Sequence, residues 1–166
     1  MKKSVMNASW LNHPRLYKFV TFHWVKRKLL IEIISSLLII LFVYAALSKL
    51  LDYEKFKFQL GGSPFVTKYS TLIAWLLPSI ELIVSVLLLI KSTRLWGLFG
   101  SFFLMLLFTG YIHIMLNYSS YLPCSCGGII SNMSWGQHLI FNIFFTFFSL
   151  IGIIIATINT QTSPNK

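Results

Sequence analysis

Four apolar stretches, each close to the roughly 20 residues that a membrane-spanning helix needs, decide what this chain can become. They run from about Leu29 to Leu51, Ser70 to Ile90, Leu95 to Leu116 and Gln137 to Ile158. A bilayer core is about 30 Å thick and an α-helix rises about 1.5 Å per residue, so each stretch can cross it. Lipid offers no partner to peptide N–H and C=O groups, and a helix is the form in which each stretch satisfies its own backbone. Composition agrees: 56% of the 166 residues are apolar and only 11% are charged, against about a quarter charged in soluble domains. The expected fold is all-α, an integral membrane four-helix bundle. Residues 1–28 form a basic, aromatic tail, 29–158 the membrane domain and 159–166 a short second tail.

The formal charge of +10 does not point to nucleic acid, because the basic residues form no groove interleaved with stacking aromatics. They gather at segment ends. The first tail carries Lys2, Lys3, Arg15, Lys18, Lys26, Arg27 and Lys28, and the turn after the second stretch carries Lys91 and Arg94. The loop from Asn117 to Gly136 carries no Lys or Arg. Basic loops stay on the cytoplasmic side, so both termini are expected inside and the Asn117–Gly136 loop outside. The tail, long and basic ahead of a full-length span, does not read as a cleavable signal. With only Glu32, Asp52, Glu54 and Glu81 as acids, paired-carboxylate hydrolysis is hard to build, and no Gly-rich phosphate loop is present.

Ionisable groups at membrane depth are costly and are therefore functional candidates. Lys49 ends the first stretch near its outer end. His113 lies one turn before the outer end of the third. His138 opens the fourth, and Asn142 lies one turn deeper on the same face. Counted by helical rise, these groups share the outer third of the membrane, which suggests one outward-facing polar site. Each has a plainer reading beside it: Lys49 can snorkel to the surface, and His113 shares a face with Thr109 and can bond between helices. Glu81 lies near the middle of its stretch, three residues after Pro78. Its plainer reading is a neutral or paired carboxyl tying two spans together; the alternative is a proton relay or ligand group. Glu32, near the cytoplasmic end, is read as reaching headgroups or Lys28.

The only cysteines, Cys124 and Cys126, stand in Pro123-Cys124-Ser125-Cys126-Gly127-Gly128 within the expected outer loop. Disulfides persist outside the cytoplasm. Residues two apart reach the usual Cα separation of about 5.5 Å only in a bent backbone, so a bond here is expected to be labile and suited to exchange. A protonated His113 or His138 nearby would favour the thiolate. Inert thiols, a metal held with a histidine, and separate bonds to a partner's cysteines stay open beside that reading. No usual ligand spacing supports the metal.

These residues together resemble the MauE/DoxX family of small four-span, redox-associated bacterial membrane proteins. The likeness rests on Tyr44-Ala45-Ala46-Leu47-Ser48-Lys49-Leu50 with Asp52, on Pro78-Ser79-Ile80-Glu81-Leu82, on Tyr111-Ile112, on Cys124-Ser125-Cys126-Gly127-Gly128, and on Ser134-Trp135 and Gln137-His138 with Asn142. It implies a bacterial inner-membrane, multi-pass protein linked to methylamine metabolism, through maturation or transport of the methylamine dehydrogenase small subunit. It also implies thiol chemistry with a periplasmic protein thiol and, by way of DoxX-type proteins, electron transfer linked to quinone. No defined catalytic set comes with it, so Cys124, Cys126, His113 and His138 stand as candidate catalytic residues and Lys49, Glu81 and Asn142 as intramembrane polar ones. Two further readings remain beside redox exchange: a non-enzymatic assembly factor or chaperone for an exported redox enzyme, and a small-molecule transporter using Glu81.

Topology is directly testable. Alkaline phosphatase fused within the Asn117–Gly136 loop should be active, and a fluorescent protein fused after Lys166 should fluoresce in the cytoplasm. The reverse pattern would invert the assigned orientation.

Overall fold

Proline is favoured in the first turn of a helix, where its missing N–H is not needed, and Pro14 opens the first helix here. The computed structural model describes residues 14–62, 67–118 and 134–161, with side-chain environments over 26–62, 67–117 and 134–158. Helix α1 runs over Pro14–Leu51, α2 over Tyr53–Gly61, α3 over Ser70–Leu89, α4 over Arg94–Tyr118 and α5 over Trp135–Gln161, with a short 3₁₀ turn at Thr67–Tyr69 before α3. Four segments are long and apolar enough to cross a membrane: Lys26–Leu51, Thr67–Leu89, Arg94–Asn117 and Trp135–Ile158. Their ends fall within three residues of the expected stretches. The four-helix membrane bundle is thus the observed fold.

The spans form a ring. α1 packs against α3 and α5, α4 packs against the same two, and α1 and α4 face each other across the diagonal. Leu38, Phe42, Leu88, Leu98 and Met105 fill the centre. Large apolar residues on the outside of every span are exposed, among them Ile40, Ile83, Phe103 and Phe147. A water-facing surface would not tolerate so continuous an apolar coat, whereas lipid tails are as apolar as the residues they meet.

Pro78 lies inside α3 and is buried, and the helix continues on both sides of it. At the far end of α3, the turn into α4 is closed by side chains rather than by a glycine cap. Thr93 Oγ1 donates to the carbonyls of Leu87 at 3.0 Å and Ile90 at 3.3 Å. Arg94 Nε donates to Leu88 O at 3.3 Å. A basic side chain on the last carbonyls also suits the negative end of the helix dipole.

Helix α2 was not expected. The connection from Asp52 to Tyr69 between the first two apolar stretches is too short and too polar to span, yet nine of its residues are helical. Phe56 and Leu60 lie one turn apart and bury against Ala74 of α3, with Tyr53, Ile73 and Leu77 packed around them. Tyr53 also meets Trp75, ring centroids 5.7 Å apart. The opposite side of α2 carries the exposed Glu54 and Phe58. Spans alternate in direction, so α2 and the α4–α5 connection leave the bundle at the same end.

The close approach of α4 to α3 depends on Gly97. A Cβ there would stand 2.7 Å from Leu88 N and 3.0 Å from Leu87 C, both backbone atoms that cannot swing aside. Gly97→Ala should therefore lower stability by about 1–3 kcal/mol, the usual cost of overpacking, while Gly110→Ala, which meets nothing within 4 Å, should not. Unfolding of the detergent-solubilised variants would measure both.

Candidate functional site

Two charges on different spans meet inside the bundle. Lys49, in the last turn of α1, places Nζ 2.5 Å from Glu81 Oε1 on α3. Glu81 is fully buried, and the Lys49 side chain keeps 14% of its surface. Counted along the helix axes the two lie at different depths, but the four-carbon stem of lysine lets the ammonium reach inward. The ammonium also sits over the Phe108 ring at 5.5 Å and the Phe56 ring at 5.9 Å, close enough for the ring quadrupoles to attract it. It also donates to Ala45 O at 3.4 Å. Glu81 Oε2 is buried with no hydrogen-bond partner among the described residues.

This pair lines a cavity of about 510 Å³ whose walls come from α1, α2, α3, α4 and α5. Tyr44, Ser48 and Asp52 of α1 and its following turn reach it, and α2 supplies Lys55, Phe56 and Gln59. Tyr111 and Phe108 come from α4; Trp135, His138, Phe141 and Asn142 come from α5. The cavity therefore lies toward the end of the bundle where α2 and the α4–α5 connection emerge, and α2 covers part of it.

The start of α5 is built to hold His138 there. Ser134 and Gln137 form a capping box: Ser134 N donates to Gln137 Oε1 at 2.9 Å, and Gln137 N donates to Ser134 Oγ at 3.3 Å. His138 then stacks on Trp135, centroids 6.2 Å apart and planes 22° apart. Asn142, one turn on and buried, donates from Nδ2 to His138 O at 3.0 Å. Trp135, half-buried at the first residue of α5, forms part of the cavity wall.

Of the residues singled out from the sequence, the structure brings Lys49, Glu81, His138 and Asn142 to one cavity. His113 does not join them. Its side chain is exposed on the outside of α4, where Asn117 Nδ2 donates to His113 O at 2.8 Å. The interhelical bond on that face is made by Thr109, whose Oγ1 lies 3.4 Å from Thr146 Oγ1 of α5. Cys124 and Cys126 lie outside the described residues, between the α4 end and the capping box. The cavity residues that sequence reasoning missed are those of α2, signalled only by the apolar spacing Tyr53, Phe56, Leu60. Tyr44 and Tyr111 stood in the family-like motifs without a role.

A family model described as methylamine utilisation protein MauE matches residues 27–155. No curated protein and no solved structure matches the chain.

Removing one member of a buried ion pair leaves the other uncompensated, at a cost of about 3–5 kcal/mol, whereas replacing both by apolar groups is often neutral. Lys49→Met and Glu81→Leu should each destabilise the detergent-solubilised protein by about that amount, and the double variant should recover most of the loss. Additive losses in the double variant would show that the two charges act independently.

Proposed function

The chain belongs to the methylamine utilisation protein MauE family, and we propose that it is a thiol–disulfide redox protein of the bacterial inner membrane acting on a periplasmic protein thiol. Its four spans make it a multi-pass membrane protein. In this reading the α2 end of the bundle faces the periplasm, and Cys124 and Cys126 form the exchanging pair. The observation that carries the proposal is where that pair is tethered. The segment holding it runs from α4, which gives Tyr111 to the cavity, to α5, which gives Trp135 and His138. The segment that holds the cysteines is thus joined at both ends to helices that line one cavity, with an imidazole in its wall.

The exchange balances without a further reagent in its oxidising half. A thiolate of the partner attacks one sulfur of the Cys124–Cys126 disulfide and forms a mixed disulfide. The partner's second thiol then displaces that bond, so the partner leaves as a disulfide and Cys124 and Cys126 remain as thiols. Two electrons and two protons pass from partner to pair.

The buried Lys49–Glu81 pair also favours a second reading, a non-enzymatic assembly factor for an exported redox enzyme, since that pair needs no cysteine to matter. The two readings separate cleanly in intact cells. A maleimide that crosses only the outer membrane should label Cys124 and Cys126 after mild reduction and not before it. The Cys124→Ser and Cys126→Ser variants should insert normally but leave the partner thiol reduced. Full partner oxidation in both variants would transfer the function to the assembly reading, and unreactive thiols in both labelling arms would sink the outward-facing pair.

A further inference from the structure

Glu81 has one more carboxylate oxygen than Lys49 uses. Oε1 takes the ammonium, while Oε2 is buried and has no hydrogen-bond partner among the described residues. A buried acceptor left unmade is costly, and a donor supplied to an ionised one is bonded more strongly than to a neutral group. Glu81 lines the cavity of about 510 Å³, which falls in the size range of small-molecule sites, about 300–1,000 Å³.

The charges around that space decide what kind of donor it suits. The charges of Lys49 and Glu81 offset each other within it, and the exposed Asp52 and Lys55 on its wall are themselves of opposite sign. A cationic or anionic ligand would bring an uncompensated charge beside that buried pair, which is unfavourable. A neutral donor adds none. The rest of the wall is largely apolar and aromatic, with Phe42, Phe56, Phe108, Phe141 and Trp135 on it. Such a wall rewards burial of an apolar body by roughly 25 cal/mol per Å².

We propose that this cavity binds a neutral, largely apolar molecule through a hydroxyl that donates its hydrogen bond to Glu81 Oε2. Two sources in a membrane share that chemistry: a ring hydroxyl, as in a phenol or hydroquinone headgroup, and an aliphatic lipid alcohol. The site is independent of Cys124 and Cys126, so it stands or falls apart from the thiol reading.

The test uses the full chain in phosphatidylcholine nanodiscs and four photoreactive probes. They are a diazirine-bearing 4-alkylphenol, a fatty alcohol of matched length, and the methyl ether of each. After photolysis, peptide mass spectrometry reads where each probe has attached. At least one hydroxyl probe should label the cavity segments around Lys49–Leu60, Phe108–Ile112 and Trp135–Asn142 about tenfold or more over its own ether, as expected for one hydrogen bond to a charged group. A larger ratio for the phenol assigns a ring headgroup; a larger ratio for the alcohol assigns a lipid alcohol. Glu81→Leu should reduce the hydroxyl probe to the level of its ether, and the C124S/C126S double variant should keep the full ratio. Equal labelling by hydroxyl and ether in both pairs, or labelling spread over the lipid-facing surface, would overturn the proposal. The hydroxyl-to-ether comparison is made on the unaltered protein, so it decides the matter even if Glu81→Leu fails to fold.

Discussion

A carboxylate and an ammonium inside a membrane bundle are each too costly to leave alone, and their meeting is the constraint around which this protein is arranged. The Lys49–Glu81 pair ties the end of α1 to the middle of α3, two spans that pack closely along their length. Coulomb attraction grows as the surroundings lose polarity, but so does the cost of bringing either charge there. The aromatic faces of Phe56 and Phe108 ease that cost for the ammonium from two further helices. The pair therefore recruits α2 and α4 as well, and the space left between these elements is the cavity.

The neutral polar groups of the spans obey the same rule at lower stakes. Most turn back on their own helix. Ser85 Oγ donates to Glu81 O at 2.9 Å, Ser101 Oγ to Gly97 O at 2.8 Å, and Thr146 Oγ1 to Asn142 O at 2.7 Å. Such back-bonds satisfy a hydroxyl where water is absent without fixing any neighbour. They let the bundle pack through shape and dispersion, as in the close approach at Gly97, and leave the ion pair as a charged contact between two closely packed spans. Thr109 with Thr146 is the milder exception.

How much of this was legible in the sequence follows from what a linear pattern encodes. The spans were, because an apolar run of membrane length has few other fates; their ends shifted by up to three residues. α5 starts at Trp135, earlier than its apolar run suggests, because the Ser134–Gln137 capping box is made of polar residues. α2 is too short, and its apolar spacing too sparse, to stand out from a loop. Depth along a helix is also legible, and it gathered Lys49, His138 and Asn142 at one level. Rotation about the helix axis is not, since packing sets it. Hence His113 has the right depth and points away, whereas Glu81 seemed too deep and proved to be within reach of Lys49.

The capping box carries a consequence for how such a chain can change over generations. Because Ser134 and Gln137 start α5 by bonds local to four residues, the orientation of His138 owes nothing to the length of chain preceding it. Insertions or deletions between Tyr118 and Ser134 would leave the imidazole, its Trp135 platform and the rest of the cavity in register. The cysteine-bearing connection is in that sense a replaceable cassette, able to change in length and sequence while the cavity between the helices it joins is inherited intact.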